Sequence, residues 1–193
     1  FYIGGLEIAA SREYDDLERG LYVALKGGNN KESHNHNDLG NFILARNGKP
    51  VIVFYGAHVI KCGLSPYLID LMKKGYITHL SGNGACSIHD FELCYNGGTS
   101  ENVPTAIEDG SFGMWEETGA WMNEAIQEGA KRDLGYGEAL AVYVDEHPEK
   151  FPYRDDCVFY QAWKHGVPAT YHIALGTDII HEHPSVSFEA IGK

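Results

Sequence analysis

Residues 50–92 read PVIVFYGAHVIKCGLSPYLIDLMKKGYITHLSGNGACSIHDFE, and this stretch decides the fold class. It opens with a continuous apolar run, PVIVFYG, which is typical of a strand buried on both faces of a parallel sheet. SPYLIDLMKKG predicts a helix, because Ser65 can cap it, Pro66 suits its first turn and Gly75 suits its end. YITHLSGNG predicts the next strand, and SIHDFELCYNGG predicts a helix that starts at Ser87. Strands that alternate with helices indicate a parallel sheet.

The same alternation of predicted strands and helices continues to residue 193, whereas the pattern before residue 50 differs. Three more helical stretches follow, and VPATYHIALG then predicts another strand. Residues 1–49 contain short apolar runs ended by turn residues, with Asn47-Gly48 as the strongest hairpin signal. We therefore predict an α/β fold: a Rossmann-like parallel sheet with flanking helices over residues 50–193, preceded by a short β-rich N-terminal segment over residues 1–49.

Composition and charge narrow the classes of function. The chain has 193 residues and a formal net charge of -12, which argues against binding to nucleic acid or to an anionic membrane surface. No apolar run approaches the ~20 residues that a membrane helix needs. The four cysteines form no CxxC pair, so they predict reduced thiols in a cytoplasmic protein rather than a zinc ribbon.

The turn SGNGAC lies between a predicted strand and a predicted helix and is a candidate cofactor site. Gly82, Asn83 and Gly84 would let a phosphate approach the helix N-terminus. The spacing falls short of GxGxxG, so an ordinary Gly-rich turn is an equal alternative. His89 and Asp90 follow in the first turns of the helix and are candidate catalytic residues. An acid here could bind a ribose hydroxyl or a cationic amine, or simply complement the helix dipole.

A second cluster, ALGTDIIHEHP, follows the predicted strand near residue 170. Ligands of open α/β sheets gather outside the carboxyl ends of the strands, so Asp178 is a candidate catalytic and cofactor-binding residue. We expect Asp178 to face a cleft, with helix capping as the competing role. His181 and His183 have the spacing of a ligand pair, but no strong third metal ligand is adjacent.

The stretch GGNNKESHNHNDLGNF, residues 27–42, is a candidate metal site. His34 and His36 stand two residues apart and would share one face of a strand. A polar, hydrogen-bonded loop is the alternative, because zinc needs at least three protein ligands and few are local.

Residues 50–193 resemble the deoxyhypusine synthase-like family. The resemblance rests on GAHVIKCGLSPYLIDLMKKGYITHLSGNGACSIHDFE, on EDGSFGMWEETGAWMNEAI and on GVPATYHIALGTDIIHEHP. It implies a Rossmann-like fold, NAD as cofactor, a small amine or polyamine as partner, a homo-oligomer, and transfer of an aminoalkyl group through an imine on a lysine. The family's Trp-Gly-Lys segment that carries this lysine does not occur here, so transfer by this chain is expected to be impaired.

Residues 1–50 resemble the C-terminal domain of the heparinase II/III-like polysaccharide lyases, on the motif KGGNNKESHNHNDLGNFILARNGKPVIV. This second resemblance implies a β-sandwich, a polysaccharide substrate, a zinc site at His34 and His36, and a periplasmic or secreted location. Phe54 stands where that family places a further Asp ligand. A noncatalytic interaction scaffold is the third alternative. Because the two parts of the sequence have different patterns, it stays open whether the sequence is a chimera, a fusion or a fragment.

Overall fold

One sheet organises the protein. A computed structural model describes residues 2–3, 8–13, 19–26, 42–47, 49–99 and 102–193. Within them, seven strands form the sheet in chain order: β1 Tyr2–Ile3, β2 Ile8–Arg12, β3 Leu21–Lys26, β4 Phe42–Arg46, β5 Lys49–Phe54, β6 Leu80–Asn83 and β7 Ala169–His172. Strands β1 to β5 pair antiparallel, and β5, β6 and β7 pair parallel.

Strand β5 joins the two parts of the sheet. On one side Val53 pairs with Ile43 of β4, and on the other side it pairs with Leu80 of β6. The hairpin predicted between β4 and β5 is confirmed, with Arg46 opposite Lys49 and Asn47 at a φ of 52°. The β-rich segment is therefore continuous with the parallel sheet through β5. The division into domains at residue 49 stays a prediction.

Helices connect the parallel strands, which confirms the predicted α/β fold class with its β-rich N-terminal segment. Among the described residues these helices are α1 Ala57–Lys61, α2 Ser65–Lys73, α3 Gly84–Asn96, α4 Val103–Asp109, α5 Glu116–Lys131, α6 Tyr136–Glu146, α7 Val158–Lys164 and α8 Phe188–Ile191, with 3-10 turns at Arg154–Asp156 and Ile179–Glu182. Helices α1 and α2 connect β5 to β6, and α3 to α7 connect β6 to β7. No helix in the described ranges is long and apolar enough to cross a bilayer.

Helix α3 begins at Gly84, so the predicted start at Ser87 was wrong. Asn83 has extended backbone, and its side-chain oxygen accepts a hydrogen bond from the Cys86 N–H at 3.0 Å, which caps the helix. Ser87 already lies inside the first turn, where its hydroxyl donates to the Gly84 carbonyl at 2.7 Å. The helix ends at Gly97, whose left-handed φ of 70° suits glycine.

An aromatic core fixes one face of α3. Phe91 is fully buried, with its ring 5.1 Å from the ring of Phe151 and 6.3 Å from that of Phe159, which lies on α7. A second cluster packs α1 and α2 against β5 and β6 around residues such as Ile60 and Met72. Residues three or four positions from Phe91 share its face of α3, whereas His89 and Glu92, two positions before it and one after it, lie on a different face. That other face borders the cleft described next.

Candidate functional site

A cleft of ≈ 410 Å³ runs along α3, beyond the carboxyl ends of the parallel strands. Its walls come from the end of α1 after β5, from α3 after β6, and from the loop after β7. Residues between α3 and α5 close it. The lining residues are Lys61, Ala85, Ile88, His89, Glu92, Tyr95, Asn96, Gly98, Thr99, Val103, Phe112, Trp115, Thr177, Asp178 and Ile179. Both its volume and its place beyond the carboxyl ends of the strands are typical of ligand sites in α/β proteins.

The cleft combines apolar walls with a few polar groups. Ile88 is buried beneath it, whereas Phe112 and Trp115 are 42% and 43% exposed. Exposed aromatic rings next to polar groups can receive an apolar ligand surface or a cation. The polar groups, which we consider next, determine what kind of ligand fits.

His89, Thr99 and Glu92 form a hydrogen-bonded chain on the cleft wall. The Thr99 hydroxyl donates to a Glu92 carboxylate oxygen at 2.5 Å, and the same hydroxyl oxygen lies 2.6 Å from His89 Nδ1. Thr118, which is buried, donates to the other Glu92 oxygen at 3.2 Å. Because the single Thr99 hydrogen points at Glu92, His89 must donate from Nδ1. Its Nε2 therefore keeps a lone pair and is an acceptor when the ring is neutral.

The surroundings keep His89 neutral. Burial, together with the neighbouring Lys61 and His58, lowers the pKa of His89 from 6.5 to about 4. At neutral pH the ring is therefore an uncharged imidazole with Nε2 as an acceptor. His89 thus lines the cleft, and its catalytic role stays a prediction.

Asp178 lies beside the start of α3. Its carboxylate sits over Gly84, so close that a Cβ atom at position 84 would overlap it. Asp178 Oδ2 accepts a hydrogen bond from the Ala174 N–H at 3.0 Å, and the side chain makes no capping bond to the 3-10 turn that follows. The structure therefore brings together the two predicted strand ends, Gly84 after β6 and Asp178 after β7, at the cleft.

The predicted phosphate site at Gly82, Asn83 and Gly84 has little free space. The Asn83 oxygen already accepts the Cys86 N–H, and the Asp178 carboxylate faces Gly84. A Cβ at Gly82 would lie 3.0 Å from the Cys86 side chain, so this glycine is tightly packed. A phosphate would meet the negative charge of Asp178 here. Binding of NAD stays a prediction from the sequence.

Asp90 lies outside the cleft, although the sequence placed it beside His89. Its side chain is fully buried, and its carboxylate accepts the N–H groups of Val158 and Phe159 at 3.0 and 2.9 Å. Asp90 therefore satisfies the first amides of α7, which gives it a structural capping role. Burial raises the pKa of Asp90 to about 6, even though the backbone hydrogen bonds act in the opposite direction.

The raised pKa of Asp90 predicts a pH dependence of stability. Since the folded-state pKa of about 6 exceeds the ordinary 3.8, the stabilisation from this group is fully present below the ordinary value and is lost as pH rises through about 6. From about pH 4.5 to about pH 7, the free energy of unfolding should fall by roughly 2 kcal/mol more in the natural protein than in Asp90→Asn. Urea unfolding of both proteins at several pH values measures this difference, and parallel pH curves would contradict it.

The structure does not test the predicted metal site. His34 and His36 lie outside the described residues, so the zinc prediction stays untested. The nitrogen atoms of His183 lie 2.7 Å from the Ser185 hydroxyl and 3.3 Å from a Glu116 oxygen, whereas His181 is buried and accepts the Gly176 N–H. Among the residues that the structure describes, no group of three or more potential ligands could hold a metal ion.

Sequence reasoning missed part of the cleft. Glu92 stands three residues after His89, and this helical spacing could have placed both on one face. Lys61 follows a strand end, which is a weaker signal of the same kind. Thr99 and Trp115 lie in irregular segments between helices, and no local pattern marks them.

No protein-family model and no curated protein matches the chain. Two solved structures resemble its fold weakly. ArgZ, an arginine dihydrolase from the ornithine-ammonia cycle in Cyanobacteria, is 17% identical with a TM-score of 0.42, and the match covers 74% of this chain and 18% of that chain. A LOR/SDH-like protein from Methanococcus maripaludis S2 is 21% identical with a TM-score of 0.43, over 74% of this chain and 37% of that chain. At these values neither neighbour carries an argument about function.

These comparisons correct both family resemblances. Neither a deoxyhypusine synthase-like family model for residues 50–193 nor a heparinase II/III-like model for residues 1–50 matches. The two solved structures that resemble the fold are of an arginine dihydrolase and a LOR/SDH-like protein, and neither belongs to those two families. Both assignments are therefore wrong, and the transferase and lyase activities that they implied lose their basis.

Proposed function

We propose that this chain binds a small organic amine in the cleft, with Asp178 as the acceptor for its ammonium group. The observation that carries the proposal is the Asp178 carboxylate, which lines the cleft and accepts a backbone N–H on one oxygen. That single bond anchors the side chain and leaves the other oxygen able to accept from a ligand.

Three further features of the cleft support an amine as its ligand. His89 offers a second acceptor through Nε2, Glu92 adds negative charge to the same wall, and Trp115 presents an aromatic ring. Acceptors and aromatic faces favour ligands that carry hydrogen-bond donors and positive charge. The net charge of -12 would also attract a cation from solution. The small amine or polyamine partner and the homo-oligomer of the sequence analysis are not tested and stay predictions.

Asp178→Asn tests the proposal, because it keeps the shape and removes the charge. Loss of a charge-assisted hydrogen bond should weaken the binding of phenethylamine or butylamine by about ten- to a hundredfold, with little change in melting temperature. Calorimetric titration and thermal unfolding of the same preparations measure both quantities. If Asp178 is only structural, the melting temperature falls and the affinity is unchanged.

Asp70→Asn is the matched control, since Asp70 is exposed on α2 and pairs with Lys74 away from the cleft. It removes the same charge and should leave the amine affinity within about twofold, because a surface charge outside the cleft contributes little. Failure of the natural protein to bind either amine at roughly millimolar concentration would overturn the proposed function.

A further inference from the structure

The hydrogen bonds on one wall of the cleft run toward Glu92. One oxygen of this carboxylate accepts from the Thr99 hydroxyl at 2.5 Å, and the other accepts from the Thr118 hydroxyl at 3.2 Å. An ionised carboxylate can only accept hydrogen bonds, and a threonine hydroxyl has a single hydrogen to donate. Both threonine hydrogens are therefore used at Glu92, and any other group that bonds to these two hydroxyls must donate to them.

His89 and Tyr95 are the outer ends of this network, and both line the cleft. Nδ1 of His89 lies 2.6 Å from the Thr99 oxygen. The Tyr95 hydroxyl lies 3.0 Å from the Thr118 oxygen. A neutral imidazole and a phenol have one polar hydrogen each, and here that hydrogen is donated to a threonine. What His89 and Tyr95 keep for a ligand is therefore a lone pair, on Nε2 and on the phenol oxygen.

Nε2 of His89 is the acceptor that a ligand can reach. The side chain is 22% exposed at the cleft, and Nδ1 is already bonded to Thr99. In the part of the chain that the structure describes, no hydrogen bond uses Nε2. A ligand that covered this nitrogen without donating to it would leave a buried acceptor unsatisfied, which costs free energy. The ligand therefore needs a hydrogen-bond donor at His89 in addition to its ammonium group.

A hydroxyl suits this position better than a second ammonium group. Lys61 lines the same cleft and carries a positive charge, so a second cation on the ligand would be repelled by it. A hydroxyl is neutral and donates one hydrogen bond, and its oxygen can also accept one from a lysine. His89 and Asp178 line one cleft of ≈ 410 Å³, a volume that a single small molecule fills, so one ligand can contact both.

We infer that the ligand of this cleft is an amino alcohol, whose ammonium group binds Asp178 and whose hydroxyl donates to Nε2 of His89. The inference rests on the proposed function, since it places the ammonium at the same carboxylate. It adds a second contact and a ligand class. It also gives Thr99 a positioning role, because the Thr99 oxygen holds the hydrogen of His89 on Nδ1 and so keeps Nε2 an acceptor.

Three pairs of ligands test the inference: ethanolamine with propylamine, 3-aminopropanol with butylamine, and 4-aminobutanol with pentylamine. Within each pair a hydroxyl replaces a terminal methyl group, and the three pairs vary the distance between hydroxyl and ammonium. Calorimetry on the natural protein should show, in at least one pair, that the alcohol binds about fivefold or more tightly than the alkylamine. If every alkylamine binds at least as tightly as its alcohol, the inference is wrong and the amine site stands. If none of the six ligands binds at roughly millimolar concentration, the proposed function itself fails.

His89→Phe removes the acceptor and keeps a ring of similar shape. In this variant the preference for the alcohol should disappear, while the alkylamine of the same pair should bind within about threefold of its affinity for the natural protein. His165→Phe is the matched control, because His165 is exposed at the end of α7 and does not line the cleft. The control should leave the preference for the alcohol unchanged.

Thr99→Val tests the positioning role, since valine has the shape of threonine but cannot hold the hydrogen on Nδ1 of His89. The preference for the alcohol should fall about threefold or more, and Thr99→Ser should retain it. If Thr99 only stabilises the fold, Thr99→Val lowers the melting temperature and leaves the ratio of the two affinities unchanged. A preference that persisted in both His89→Phe and Thr99→Val would show that the hydroxyl does not bind His89.

Discussion

Replacing Asp90 by Ala is expected to lower the free energy of unfolding by about 3 kcal/mol at neutral pH. The carboxylate accepts the N–H groups of Val158 and Phe159 at 3.0 and 2.9 Å in the protein interior. Without it, both amides lose their partner at the first turn of α7, and each buried unsatisfied donor costs roughly 1–3 kcal/mol. Relief of the buried carboxylate charge offsets part of this loss, as the raised pKa of Asp90 indicates.

Chemical unfolding of Asp90→Ala measures the effect, and Asp109→Ala is the matched control. Asp109 also accepts a backbone N–H, from Ser111 at 2.9 Å, but it lies on the surface where water can replace the bond. We expect a much smaller loss for the control. If Asp90→Ala were no less stable than Asp109→Ala, the capping role would be wrong. Asp90 would then have to be tested as the ligand-binding acid that the sequence suggested.

Local signals account for what the sequence predicted correctly. The hairpin at Asn47 and a helix with Pro66 near its start depend on backbone preferences of neighbouring residues, and both are present, although Leu64 and not the predicted Ser65 occupies the N-cap position. The apolar run of β5 likewise reflects its position between two strands. Such features need no knowledge of distant contacts, which is why the α/β class could be read from a single sequence.

The errors arise where residues distant in sequence decide the outcome. Asn83 and Ser87 are both good caps, and the choice of Asn83 follows from where β6 ends. Asp90 and His89 are neighbours in sequence, yet they lie on different faces of α3. Asp90 therefore contacts α7, whereas His89 lines the cleft. The hydrogen bond between Thr99 and Glu92 depends on the position of the loop after α3, and no periodicity in the sequence predicts that position.

Close packing of α6 on β7 leads to the second large prediction, that Gly137→Ala destabilises the protein by about 3 kcal/mol or more. Gly137 is buried in the first turn of α6, and an added Cβ would lie far inside contact distance of the Ala169 carbonyl oxygen. That oxygen belongs to the backbone of β7, which is held by its pairing with β6, so it cannot move aside without disturbing the sheet. The usual gain of roughly 1 kcal/mol from Gly to Ala in a helix is therefore outweighed.

Gly135→Ala is the matched control, because position 135 caps the same helix with a φ of -68°, and a Cβ there meets no atom of the described residues within 4 Å. Its stability should fall by no more than about 1 kcal/mol, which is the usual loss when Ala replaces a better N-cap residue. Thermal and urea unfolding of both variants separate a steric effect at β7 from a general effect of alanine at this terminus. Equal stability of the two variants would mean that α6 can move away from β7 at little cost, and the tight contact between helix and strand would then not be a fixed feature of the fold.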